Sequence, residues 1–188
     1  MIYTADQIQL RMIELGMILP NFHLVAIRSK GSIPDKFDDL LYVIGEGNRL
    51  GISPFTCTTN PGKNWLEKLL NPLGTPTIVA DKQYINSHCI GKHKGNPALV
   101  QCGAVWVTRD NDNDGINQIE GKPEYIAKPE CKINIHGTYK KYVSIFIGGY
   151  SAGCIVLNNP EEFDVLMALC EASAKGMFTL TVLNEFEA

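Results

Sequence analysis

The sequence lacks most of the features that would place it in a specialised class. No run approaches the ~18 apolar residues of a membrane span, and the 17 basic residues are scattered among 20 acidic ones. The net charge is only -3. No electrostatic footprint for nucleic acid or an anionic membrane is therefore expected. The start, MIYTADQIQLRMIELG, has no basic segment followed by an apolar stretch and a small-residue cleavage site, so it predicts synthesis in the cytoplasm without a signal peptide. There is no internal repeat, low-complexity tract or linker. The chain of 188 residues, 45% hydrophobic and 20% charged, is thus expected to be one self-supporting domain over residues 1–188.

Metal-ligand spacing is also missing. Six cysteines occur, Cys57, Cys89, Cys102, Cys131, Cys154 and Cys170, but no C-x-x-C. Without a secretory leader they read as reduced thiols rather than a disulfide framework. A zinc site would have to gather Cys89, His93, Cys102 or Cys131 and His136 across unrecognised gaps. Neither a metal nor an organic cofactor is expected. The loop RDNDNDGINQIEG begins with calcium-like spacing at Asp110, Asp112, Asp114 and Gly115, then places Asn117 at an apolar position and Gly121, beside Glu120, where the bidentate glutamate belongs. It reads as a polar turn, with calcium as the weak alternative.

The pattern that is present is mainly β. Thr4 and Gln7 form a capping box, apolar residues Ile8, Leu10, Met12, Ile13 and Leu15 follow, and Gly16 offers a stop, which predicts a helix over 5–15. Short β-rich runs follow, punctuated by Gly, Pro, Asn and Asp: HLVAIR, DLLYVI, SPFTCTT, TPTIVA, ALVQCGAVWVT, KINIH and VSIFI. Asn159, Pro160, Glu161 and Glu162 mark a second helix start, with Phe163, Leu166, Met167, Cys170 and Ala174 on one face and Gly176 as terminator. FTLTVL, residues 178–183, returns to the sheet. The expected class is α+β, mainly β, with packed mixed or antiparallel sheets.

Chemistry concentrates near residue 150. Cys154 follows Ser151, Ala152 and Gly153, small enough for a strained turn whose backbone N–H groups converge on one spot, as an oxyanion hole requires. Eighteen positions earlier, His136 ends a β run, with Gly137 behind it. A Cys–His pair generates a thiolate near neutral pH. The residue types alone leave a second reading open, a packed thiol and a satisfied histidine that merely lie in this order. GKHKG puts His93 between lysines and glycines, where it reads as a solvated hairpin turn or as a holder of an anionic group. His23, His88, Trp65 and Trp106 read as structural.

Together, IHG and SAGCIVL, followed by a helix and a closing strand, resemble the signature of the L,D-transpeptidase (YkuD-like) catalytic domain, which carries a histidine-glycine pair and then Ser/Thr-x-Gly-Cys at a similar gap. The match covers roughly residues 131–183. The resemblance implies that Cys154 is the nucleophile and His136 its base, and that Ser151, Ala152, Gly153 and Gly137 shape the loop. It also implies acyl transfer on peptidoglycan stem peptides through a thioester, with backbone N–H groups near Gly153 and Cys154 holding the oxyanion. Amine attack on that thioester would make a crosslink and water a carboxypeptidase or endopeptidase; the missing leader favours hydrolysis, as in a phage-type lysin released to the wall. The family usually has an arginine where this chain has Val156, and Lys140, Lys141 or Arg109 are the candidates to replace its charge. Two rival expectations are a non-catalytic wall-binding or phage structural protein that keeps the fold, and a cysteine peptidase of other amides.

Overall fold

A computed structural model describes residues 1–31, 35–45, 54–119, 121, 123–126 and 132–187. Helix α1, Ala5–Glu14, starts at the Thr4–Gln7 capping box and is followed by Gly16 at φ +70. Strands β1 (His23–Arg28), β2 (Asp39–Ile44) and β3 (Phe55–Thr58) come next, then the short helix α2, Lys63–Glu67. After β4 (Thr75–Ile78), the long strand β5 (Lys82–His93) turns at Lys94 and Gly95, both at positive φ, into β6, Asn96–Gln101. Strands β7 (Val105–Asp110), β8 (Glu124–Ile126), β9 (Ile135–Gly137) and β10 (Ile155–Leu157) lead to α3 (Pro160–Ala172) and β11, Phe178–Asn184.

Eight strands close into a barrel in the order β1-β11-β5-β6-β9-β10-β3-β2, while β4, β7 and β8 form a separate three-stranded sheet. The class is α+β and mainly β. The barrel is mixed: β1 runs parallel to β11 and β9 parallel to β10, while the remaining pairs are antiparallel. One core joins Leu24, Leu99, Ile135, Ile155, Leu157 and Phe178 to Phe163, Leu166, Met167 and Cys170 of α3 and to Ile78, Val105 and Val107 of the second sheet. A smaller core places Ile8 and Met12 of α1 against Val25, Ile27, Tyr42 and Ile44. Both faces of β1 are therefore covered, which is why HLVAIR reads as an unbroken apolar run rather than an alternating one.

Several expectations need correction. VSIFI is not a strand: it makes a single isolated bridge, Phe146 to Lys36, and Ile145 and Phe146 are 73% and 61% exposed. Its composition suits a sheet, but the closed barrel leaves β9 no free edge, since β6 and β10 flank it. ALVQCGAVWVT is two strands in two sheets, broken where the N–H groups of Cys102 and Gly103 both donate to Ser87 O at 2.8 and 2.9 Å. On α1, Leu10 and Ile13 face solvent, and α3 ends before Ala174, which takes a left-handed φ of +53 in place of Gly176. Ser53 of SPFTCTT lies outside the described residues.

Candidate active site

Strands β9 and β10 lie side by side and in register, Ile155 opposite Ile135 and Val156 opposite His136. Because side chains alternate along a strand, the isoleucines enter the core while Asn134, His136 and Val156 share the opposite face, with Cys154 immediately before β10 on the same side. The chain order IHG then SAGC thus becomes adjacency on one surface. Parallel pairing needs a long crossover, and residues 138–153 supply it.

The turn at Cys154 is fixed from within. Ser151, fully buried, donates its hydroxyl to Cys154 O at 2.7 Å and accepts the Gly153 N–H at 3.2 Å. Gly153 sits at φ +115, where a Cβ would lie 2.5 Å from Pro76 O and 2.8 Å from Pro76 Cγ, so only glycine fits. Ser151 and Gly153 hold the turn through these contacts, and the Gly153 amide is directed at Ser151.

Cys154 is 7% exposed and its Sγ donates to Lys132 O at 3.4 Å. It lines a cavity of about 380 Å³ with Ala152, His93, Lys94, Lys132, Asn134 and Arg109. The sulfur therefore bonds a backbone carbonyl at the wall of a cavity of mixed polarity. Cys170, by contrast, is sealed among core side chains, and its burial pushes the thiol up to about 12.

His136 is buried, and its Nδ1–H donates to Gly137 O at 2.8 Å. A carbonyl accepts only, so this bond fixes the proton on Nδ1 and leaves the lone pair on Nε2, which is sealed from solvent. Among the described residues Nε2 has no hydrogen-bond partner. Burial lowers the His136 pKa to about 4, opposed by the Gly137 carbonyl and reinforced by His93 and Lys94, so the ring is neutral at pH 7. The thiol and the base are not bonded to each other in this arrangement, because the thiol proton is held by Lys132 O. Gly137 is itself required for packing: a Cβ there would meet the Phe163 ring at 3.1 Å.

Sequence reasoning did not bring His93 into the site. Its ring stacks on His136 with centroids 4.5 Å apart and planes 10° apart, and Tyr139 stacks on His136 at 5.5 Å. The only sequence signal was the GKHKG turn, and its significance depends on β6 lying beside β9 in the barrel. Of the cations considered in place of the family arginine, Arg109 lines the cavity, its Nε donating to Glu124 at 2.6 Å and an Nη to Gly74 O at 3.0 Å. Lys140 and Lys141 are exposed and are not part of the cavity wall. Val156 is completely buried between His136 and Thr58 in register.

In the calcium-like loop the aspartates serve the turn itself. Asp110 accepts the Gln118 N–H, Asp112 the Asp114 N–H and Asp114 the Ile116 N–H, so the carboxylates satisfy the amides of their own turn. Among the described residues no group of three or more His, Cys, Asp or Glu side chains is placed to hold a metal ion. Cys131 and Glu120 lie outside the described residues. His88 is structural, bridging Ser87 Oγ and Ile133 O, and His23 is buried against Pro20 O. Trp65 donates to Gly149 O and Trp106 packs on Tyr125.

Searches against protein-family models, curated proteins and solved structures find no match to this chain.

Proposed function

We propose that the protein performs cysteine-dependent acyl transfer on peptidoglycan stem peptides, as the L,D-transpeptidase-like motifs suggest. The observation that carries this reading is the pairing of β9 with β10, which puts a neutral His136 with an unbonded Nε2 on the same face as a cavity-lining Cys154. A packed thiol has no need of a neighbouring buried base without a partner, and leaving such a group unpaired costs about 1–3 kcal/mol. In this scheme rotation of the Cys154 side chain away from Lys132 O brings its proton to His136 Nε2. The thiolate attacks the substrate carbonyl, the C=O electron pair moves to oxygen, and collapse expels an amine that takes the proton from His136. The remaining thioester is resolved by water or by a second amine. Cations at Lys94, Lys132 and Arg109 suit the carboxylates of a stem peptide.

The test is incubation of wild type and Cys154→Ala with purified muropeptides, followed by mass spectrometry. Loss of a terminal D-alanine with wild type alone identifies a carboxypeptidase, and a joined product a transpeptidase. Identical traces from the two proteins would remove catalysis and leave a wall-binding role.

A further inference from the structure

We infer that His93 is the side-chain oxyanion donor of this site; the inference rests on the acyl-transfer reading and deepens it. Two hydrogen bonds carry the argument. The Gln101 backbone N–H donates to Asn134 Oδ1 at 3.0 Å. A backbone N–H can only donate, so the oxygen of the Asn134 amide is fixed on that side and Nδ2 points the other way. Nδ2 lies 2.9 Å from His93 Nδ1. An amide NH2 can only donate, so His93 Nδ1 is the acceptor and a neutral His93 carries its proton on Nε2.

The two stacked imidazoles therefore have opposite tautomers. His136 holds its proton on Nδ1 and offers a lone pair, while His93 offers an N–H. The His93 ring forms part of the cavity wall that it shares with Cys154, and its Nε2 is not among the sealed, partnerless atoms of the interior. This N–H meets a specific need. Of the backbone donors that the resemblance implies near Gly153 and Cys154, the Gly153 amide is already bonded to Ser151. When the Cys154 sulfur bonds to the carbonyl carbon, the oxygen that gains the electron pair accepts from His93 Nε2–H, and it returns the pair when the C–N bond breaks.

The surroundings favour this role over that of a second base. Partial burial of the His93 ring, and then the charges of Lys94 and Lys132, oppose its protonation, and His136 lies on its ring face. His93 stays a neutral donor, and an anion forming beside it is attracted by the same two lysines. Asn134 acts as its positioning residue, since its amide oxygen is bonded to the Gln101 N–H and its amide nitrogen to the His93 ring.

The test separates steps that build an oxyanion from those that do not. Acylation of Cys154 by p-nitrophenyl acetate passes through a tetrahedral oxyanion; alkylation by iodoacetamide is a direct displacement at carbon and does not. Both rates are taken as the difference from Cys154→Ala, because Cys102 is an exposed thiol. His93→Phe, which keeps an aromatic ring for stacking, is expected to lower acylation by about 10²–10³-fold while alkylation stays within about threefold, and His93→Gln, which restores an N–H donor, to recover at least about tenfold of the loss. Equal acylation by wild type and His93→Phe, or a parallel fall in both reactions, overturns the donor role while leaving the acyl-transfer reading intact. A wild type with no Cys154-dependent release of p-nitrophenolate overturns both.

Discussion

Replacing Gly153 with alanine is the sharpest probe of how the fold builds the turn before Cys154. The residue sits at φ +115, a conformation that L side chains rarely adopt, and holding a non-glycine residue in such a sparsely populated region costs about 1–3 kcal/mol. The added Cβ would also lie 2.5 Å from Pro76 O, a backbone atom of β4 that cannot swing aside like a side-chain tip, and 3.3 Å from Ile133 Cδ1. Overpacking of this kind costs about 1–3 kcal/mol further, so the two effects together come to about 4 kcal/mol. In a chain of this size that corresponds to a fall in Tm of about 8–16 °C. Urea denaturation followed by tryptophan fluorescence measures the loss, with an unchanged m-value showing that the denatured state is unaltered. Relief of the clash requires β4 or the turn to move, so the iodoacetamide reactivity of Cys154 changes as well. A loss below about 1 kcal/mol with unchanged thiol reactivity would show that the turn is not locked as described.

Two further outcomes follow from buried groups. Burial lowers the pKa of His88 and of His136 from 6.5 to about 4, so both stay neutral in the fold while the unfolded chain takes up protons below pH 6.5; at about 1.4 kcal/mol for each tenfold change in proton affinity, each contributes stability that is complete above pH 6.5 and falls by about 3 kcal/mol as pH drops to 4. Denaturation curves at a series of pH values read this limb directly, and His88→Gln should flatten its share of it; a pH-independent midpoint between 6.5 and 4 would contradict the burial of both rings. Val156→Arg is expected to destabilise the protein by about 3 kcal/mol or more, because it places an unpaired guanidinium in a sealed position. Wild-type stability in that variant, by the same urea measurement, would mean that the site opens outward there.

The elements legible in the sequence were those whose local signals agree with their tertiary setting. Thr4 and Gln7 begin α1, Asn159 and Pro160 begin α3, and HLVAIR and DLLYVI coincide with β1 and β2 to the residue. Local signals failed where the sheet decides. β5 carries Asn86 at φ +48 and a mid-strand Gly91, and alternates polar residues that bear no apolar stripe. It is a strand because β6 and β11 pair with it on either side. VSIFI shows the converse, β composition without a place in the barrel. At the site, Cys154 and His136 could be picked out by residue type and order, but Lys132 O, Gly137 O and the Asn134 amide act through backbone atoms or through register and leave no pattern along the chain.

Position 156 shows where the cavity's positive charge can and cannot be placed. Val156 lies on β10 with strands on both sides, opposite His136 on β9 and Thr58 on β3, and no part of it reaches solvent. A cation there would have to be paired inside the protein, at a desolvation cost of several kcal/mol. The cavity draws its positive charge from elsewhere: Lys94 from the turn after β5, Lys132 from the segment before β9, and Arg109 from β7 of the second sheet. Arg109 is partly neutralised by Glu124, which leaves the two lysines beside Cys154 as the dominant field. A flexible ammonium attracts a carboxylate without imposing the planar two-point geometry of a guanidinium. On the proposed acyl-transfer reading, a substrate's anionic groups would be held by attraction more than by fixed geometry, and the placing of the scissile carbonyl would fall to the rigid parts of the site: the Ser151–Cys154 turn, the carbonyl-fixed His136 and the Asn134-fixed His93.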